Sequence, residues 1–184
     1  MAKSIEELGD IAKRVRRDIV TMITAAKSGH PGGSLSAVEI LVELYFNTMR
    51  IDPAKPKWAD RDRFVLSKGH AAPVLYSVMA ERGYSDTPKD KLNTLRTFGS
   101  VFQGHPDMRF IPSLEASTGS LGQGLSLGLD MALGAWRGSG DRGLQPDSAR
   151  WIGQGHHGNF ASQGPGCFVH GKQSEVPWCG AHAG

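Results

Sequence analysis

Long apolar runs, cysteines and an excess of charge of one sign are all scarce in this 184-residue sequence. No apolar run approaches the roughly 18–20 residues of a spanning helix, and the N-terminus lacks the apolar core of a secretory signal. Two cysteines are too few for a disulfide framework. A net charge of +3, without a dense basic cluster, argues against nucleic acid or a membrane surface as partner. We therefore expect a cytoplasmic protein of one domain.

Glycine is the residue that stands out, because the chain has 24 and their density more than doubles after Trp136. The tail at residues 137–184 has few large aliphatic side chains and no hydrophobic period of 2 or 3.6. The sequence therefore predicts an ordered part at residues 1–136 and an irregular, Gly-rich tail at residues 137–184, which we expect to be disordered.

The ordered part divides into helices and loops around one short strand. Apolar residues at spacings of three and four predict an amphipathic helix over 5–26 that Gly29 caps, and a capping box from Ser36 predicts a helix over 37–48. An apolar run predicts a buried strand over 64–67, followed by helices over 71–82, 89–96 and about 124–135. This alternation predicts an α/β fold.

A glycine-rich turn at residues 119–124 opens the last of these helices. Backbone amides at a helix N-terminus attract phosphate, and glycine allows a ligand to approach the backbone. The spacing matches neither GxGxxG nor GK[ST], so a tight turn that only serves helix packing is the alternative interpretation.

Three histidines, His30, His70 and His105, each follow a glycine, and two of them precede a proline. Such turns favour exposed imidazoles, which suit proton transfer near neutral pH or hydrogen bonds to phosphate and sugar hydroxyls. The alternative for each is a loop histidine bonded to nearby backbone. Their spacing does not resemble a zinc site.

Four segments in this order resemble the N-terminal part of transketolase: residues 28–36 (SGHPGGSLS), 62–71 (DRFVLSKGHA), 104–107 (GHPD) and 117–124 (STGSLGQG). The resemblance covers residues 5–136 and is closest to the N-terminal subunit of a split transketolase. It implies the front part of a thiamine diphosphate-binding fold, a parallel sheet flanked by helices. It also implies thiamine diphosphate-dependent transfer of a two-carbon ketol unit from a ketose phosphate to an aldose phosphate.

The resemblance also implies roles for particular residues and partners. His70 would bind the cofactor diphosphate, while Gly119, Ser120 and Leu121 would line the pyrimidine and thiazolium rings. His30 and His105 would contact substrate hydroxyls and assist proton transfer. A C-terminal transketolase subunit would complete the enzyme as a homodimer or heterotetramer.

The sequence departs from the family pattern after Trp136, where a strand ending in Gly-Asp-Gly would supply Mg²⁺ ligands. Residues 136–143 (WRGSGDRG) lack that strand, so neither Asp141 nor Asn159 is assigned as a metal ligand. A shifted reading frame or a truncated gene would explain the change, and an inactive, partner-binding remnant is the alternative function. A zinc-binding tail is the weakest hypothesis; its candidate ligands are His156, His157, Cys167, His170, Cys179 and His182.

Overall fold

The computed structural model describes residues 3–139, 151–154 and 167–169. Its elements run in the order α1 (Ile5–Ala26), α2 (Pro31–Leu35), α3 (Val38–Glu43), β1 (Arg63–Leu66), α4 (Ala72–Arg82), α5 (Gln123–Ser139), β2 (Trp151–Gln154) and β3 (Cys167–Val169). A π-helical turn at Leu44–Thr48 extends α3, and 3₁₀ turns occupy Gly69–Ala71 and Lys89–Thr94. Within these residues, no helix combines the length and the apolar character that crossing a membrane requires.

Helix α1 is the amphipathic helix that the sequence predicts. Ser4 caps its N-terminus in a capping box, accepting a hydrogen bond from the Glu7 N–H while the Glu7 carboxylate accepts one from the Ser4 N–H. At the other end the left-handed cap is Lys27, at φ 48°, and not Gly29 as predicted. The buried stripe of α1 packs on α4 and forms one side of the core, through Ile11, Val15, Ile19 and Met22.

The region of α2 and α3 differs from the predicted single helix over 37–48. Helix α3 begins at Val38 with Ala37 as its N-cap, so the expected capping box from Ser36 is wrong. The Ser36 hydroxyl instead donates to the Gly33 carbonyl at 3.1 Å and accepts from the Lys68 ammonium at 3.3 Å. One local and one distant hydrogen bond of the Ser36 side chain therefore replace the expected cap.

Strand β1 and helix α4 confirm the predicted strand–turn–helix unit. Phe64, Val65 and Leu66 are buried, and α4 ends at Gly83, whose φ of 95° supplies the left-handed cap. The first eight of the eleven residues of α4 are buried, because α1, α2 and α3 all pack around it. Together the elements give an α/β arrangement.

Two short strands lie in the tail, where the sequence predicts irregular structure. β2 pairs in parallel with β1, aligning Trp151 with Arg63 and Gln154 with Leu66. β3 pairs antiparallel to β2, which gives the strand order β1-β2-β3. Runs of three and four residues are too short to show a periodic pattern, so the sequence does not reveal them. The domain division after residue 136 stays a prediction, since most of the tail lies outside the described residues.

Candidate functional site

The candidate site lies where the chain leaves β1 and where it enters α5. The segment after β1 carries Gly69 and His70, and the segment before α5 carries the turn at 117–122. These two segments touch through their backbones. An added Cβ on Gly69 would lie 2.8 Å from the Gly119 nitrogen and 2.8 Å from the Thr118 carbonyl carbon. Only glycine allows the two turns to come this close.

The first turn of α5 makes a second close contact with the end of β1. An added Cβ on Gly124 would lie 2.4 Å from the Ser67 Cβ and 2.6 Å from its Oγ. Gly124 is buried, and Ser67 is 1% exposed. This contact places the N-terminal end of α5, the positive end of its dipole, directly beside the carboxyl end of β1.

His70 faces the glycine turn that follows His30. An added Cβ on Gly33 would lie 3.5 Å from the His70 Nε2, so the imidazole covers the turn at ordinary contact distance. His70 itself is partly buried, in the 3₁₀ turn Gly69–Ala71. The structure thus joins the segment at 28–36 to the segment at 62–71.

His105 faces Gly119 in the second of these turns. An added Cβ on Gly119 would lie 3.4 Å from the His105 Cδ2. The loop of His105 is held by the Tyr76 hydroxyl, which lies 2.9 Å from the His105 carbonyl oxygen and 3.1 Å from that of Gln103. The Thr118 N–H also donates to the Pro106 carbonyl at 3.1 Å. Residues 104–107 and 117–124 therefore form one connected surface.

His30 occupies a more exposed position than His70. It is the N-cap of α2, and its side chain makes no capping hydrogen bond. Its turn is connected to that of His105 through Arg96, whose guanidinium Nη1 donates to the Ser28 Oγ at 2.6 Å. The same guanidinium lies against Gly104, where an added Cβ would be 3.0 Å from Nε.

The floor of the site holds a buried cation and three buried hydroxyls. Lys68 is 8% exposed, and burial lowers the pKa of its ammonium. The Oγ of Ser34, the Oγ of Ser67 and the Oγ1 of Thr118 are buried and have no hydrogen-bond partner among the described residues. Unpaired buried hydroxyls are costly, and groups of this kind suit a polar ligand that would satisfy them.

The sequence identifies the three histidines and the glycine turn but not the residues that hold them. Tyr76 lies in an apolar run and gives no signal of a polar role. Arg96 lies in no motif and adopts φ 60°, which its sequence does not indicate. Lys68 could have been found from the sequence, because it is a lysine directly after the predicted strand, in the segment 62–71.

Metal ligands are not found among the described residues. In that part of the chain, no group of three or more His, Cys, Asp and Glu side chains is arranged to hold a metal ion. Asp141 and Asn159 lie outside the described residues, as do His156, His157, His170, Cys179 and His182. The zinc-binding hypothesis for the tail therefore stays a prediction.

These contacts define an α/β protein whose candidate site lies between the carboxyl end of a strand and the amino end of a helix, beside histidine and glycine turns. The chain belongs to the transketolase family: residues 9–182 match the family described as transketolase, thiamine diphosphate binding domain. The match continues beyond residue 136 through the tail, and the proposed frame shift stays a prediction.

Similar proteins include two that are named as subunits of transketolases. The chain is 42% identical over 131 residues to the first of these, a subunit of the apulose-4-phosphate transketolase of Phocaeicola vulgatus, covering 71% of this chain and 46% of that subunit. It is 44% identical over 133 residues to the 6-deoxy-6-sulfo-D-fructose transketolase subunit SqwG of a Clostridium species, covering 72% and 48%. The chain spans about half the length of these curated relatives.

Solved transketolase structures have the same fold over most of the chain. A transketolase variant from Pichia stipitis matches with a TM-score of 0.71 and 34% identity, covering 82% of this chain and 22% of that one. The Campylobacter jejuni transketolase matches with a TM-score of 0.70 and 34% identity, covering 74% and 21%. In both matches the described α/β core corresponds to about a fifth of a much longer polypeptide.

Proposed function

We propose that this chain is the N-terminal, thiamine diphosphate-binding part of a transketolase that works with a second polypeptide. The reaction is transfer of a two-carbon ketol unit from a ketose phosphate to an aldose phosphate. One observation carries the proposal: Gly69 and Gly119 meet backbone to backbone, and His70 and His105 flank that contact. Membership of a family described as thiamine diphosphate-binding supports that cofactor as the ligand of this surface.

The residues present fit a diphosphate cofactor. His70 would donate to the diphosphate, while Gly119, Ser120 and Leu121 would line the rings, since all three are exposed at the mouth of α5. Thr118 has a buried hydroxyl that lacks a partner among the described residues and would gain one. When bound, thiamine diphosphate supplies the carbon nucleophile and the electron sink for carbon–carbon cleavage.

His30 and His105 would act on the substrate. Both imidazoles are exposed, one at the start of α2 and the other against Gly119. A histidine in such a position can donate to sugar hydroxyls and move a proton near neutral pH. The two roles are supported by the exposure of both histidines and by the contact of His105 with Gly119.

A C-terminal subunit would complete the enzyme. Four leucines at intervals of four residues lie along one side of α5 and the turn before it, between 40% and 52% exposed: Leu121, Leu125, Leu129 and Leu133. A continuous apolar stripe of this kind is typical of a surface that a partner covers. The two relatives named as transketolase subunits, of which this chain spans about half the length, support a second polypeptide as the occupant, in a homodimer or heterotetramer.

Three further elements belong to the same proposal. β1 and its flanking helices would be the first part of a parallel sheet that the family fold requires. Mg²⁺ would accompany the diphosphate, with ligands from outside the described residues. The protein would act in the cytoplasm, as its sequence predicts.

An inactive remnant that only binds a partner subunit is the second candidate. The observation in its favour is the sequence at 136–143 (WRGSGDRG), which contains no Gly-Asp-Gly. The exposed leucine stripe of α5 would serve this function equally well, because partner binding requires no cofactor.

Reconstituted activity decides between the two. The full chain would be co-expressed with the C-terminal subunit of a split transketolase, and ketol transfer measured with Mg²⁺ and thiamine diphosphate. We expect activity that falls about 100-fold or more in His105→Ala, since general acid–base catalysis contributes about 10²–10⁴-fold. Arg17→Ala, an exposed substitution on α1, is the control. A stable complex without activity would support the remnant and overturn the enzyme.

A further inference from the structure

Arg96 occupies an unusual backbone position beside the candidate site. It is one of two non-glycine residues with positive φ among the described residues, at 60°. Its N–H donates to the Phe102 carbonyl at 2.8 Å, and Phe102 is fully buried. A side chain is rarely accommodated in this conformation unless the surrounding structure requires it. The backbone therefore fixes the direction in which the Arg96 side chain leaves the main chain.

That direction brings the guanidinium to two separate turns. Nη1 donates to the Ser28 Oγ at 2.6 Å, two residues before His30. The other face lies on Gly104, directly before His105, where an added Cβ would be 3.0 Å from Nε and 3.3 Å from Nη2. The planar, multi-donor guanidinium can hold both contacts at once in a way that an ammonium cannot.

We propose that Arg96 is a positioning residue that fixes the turns of His30 and His105 relative to each other. This inference rests on the proposed function, in which both histidines act on one substrate. The Arg96 side chain bridges the two turns. Ser28 accepts its hydrogen bond on one turn, and Gly104, which has no side chain, allows it to pack on the other. Small displacements of reacting groups are costly, so this spacing matters for the rate of the reaction.

Four variants of the full chain test the bridge. Arg96→Ala removes it, and Arg96→Lys keeps the charge without the planar fork. Gly104→Ala displaces the guanidinium without changing any charge, because the added methyl would meet Nε at 3.0 Å. Arg17→Ala is the matched control for loss of an exposed arginine.

The first readout is the NMR signal of each imidazole in the unliganded chain, followed over a pH titration. We expect Arg96→Ala and Gly104→Ala to shift the resonances of both His30 and His105, and to leave those of His70 in place. The lysine variant should restore the spectrum only in part. If the signals of both histidines stay unchanged in the alanine variants, or if only one of them shifts, Arg96 does not join the two turns and the proposal is refuted.

The second readout is kinetics with the C-terminal subunit. We expect kcat to fall about 10- to 100-fold in Arg96→Ala while the apparent affinity for thiamine diphosphate is unchanged, because misplacing reacting groups by about 1 Å costs up to about 100-fold. Equal loss of kcat and cofactor affinity would indicate general unfolding and overturn the proposal. If the unaltered chain shows no ketol transfer, the proposed function fails, whereas the NMR comparison still decides whether Arg96 joins the turns. Should Arg96→Ala not fold, Gly104→Ala supplies both readouts.

Discussion

Gly69→Ala tests whether the two halves of the site meet as closely as the structure describes. The new methyl would lie 2.8 Å from the Gly119 nitrogen and 2.9 Å from the Thr118 carbonyl oxygen. Nonbonded heavy atoms prefer separations of about 3.5–4.0 Å, so one backbone must move by about 0.7 Å or more. The three nearest atoms are all backbone, so no side chain can rotate away to relieve the overlap.

Overpacking of this kind costs about 1–3 kcal/mol, and we expect the free energy of unfolding to fall by that amount. Thiamine diphosphate should also bind more weakly, since the displaced turn carries Gly119. Urea denaturation followed by circular dichroism measures the first effect, and calorimetry measures the second.

Gly9→Ala is the matched control. Gly9 lies inside α1 with no heavy atom within 4 Å of the added Cβ, so the same substitution should stabilise the chain by about 0.5–1 kcal/mol. Opposite signs for the two variants would support the close contact. A Gly69→Ala protein as stable as the unaltered chain, with the same affinity for the cofactor, would refute it.

Two further predictions concern a buried hydroxyl and a partly buried carboxylate. Tyr76→Phe removes the donor shared by the Gln103 and His105 carbonyls; it should lower the free energy of unfolding by about 1–2 kcal/mol and reduce kcat. Unchanged stability and kcat would show that this hydroxyl does not hold the loop. Burial raises the pKa of the Asp18 carboxyl, against the hydrogen bond from Ser77. The folded state therefore keeps this proton to higher pH, so the free energy of unfolding falls as the pH rises from the ordinary to the raised pKa. Denaturation at a series of pH values measures that slope, and Asp18→Asn should abolish it. An unchanged slope in the variant would contradict the assignment to Asp18.

The fold was predictable where the sequence has a strong local signal. The apolar stripe of α1, the run in β1 and the glycine that ends α4 each specify an element without help from distant residues. The cap expected at Ser36 failed because that hydroxyl donates to the Gly33 carbonyl and accepts from Lys68, 32 residues away. Local side-chain bonds to the backbone compete with a cap, and tertiary contacts override local propensity; a pattern of spacings reveals neither.

The candidate site also has residues that local motifs predict and residues that only distant contacts define. The three histidines and the glycine turn are local motifs, and the sequence alone identifies them. Arg96 and Tyr76 act through contacts with residues 68 and 29 positions away, Ser28 and His105, so only the structure reveals them. The two strands of the tail were missed for another reason, since segments of three and four residues carry too little pattern.

The central claim is that the turns around Gly69 and Gly119 form a thiamine diphosphate site. Its most direct test is calorimetric titration of the full chain with thiamine diphosphate and Mg²⁺, alone and with a co-expressed C-terminal subunit. We predict saturable binding in the complex that His70→Ala weakens and Arg17→Ala leaves unchanged. No binding in either mixture, or equal binding by the His70→Ala protein, would contradict the claim.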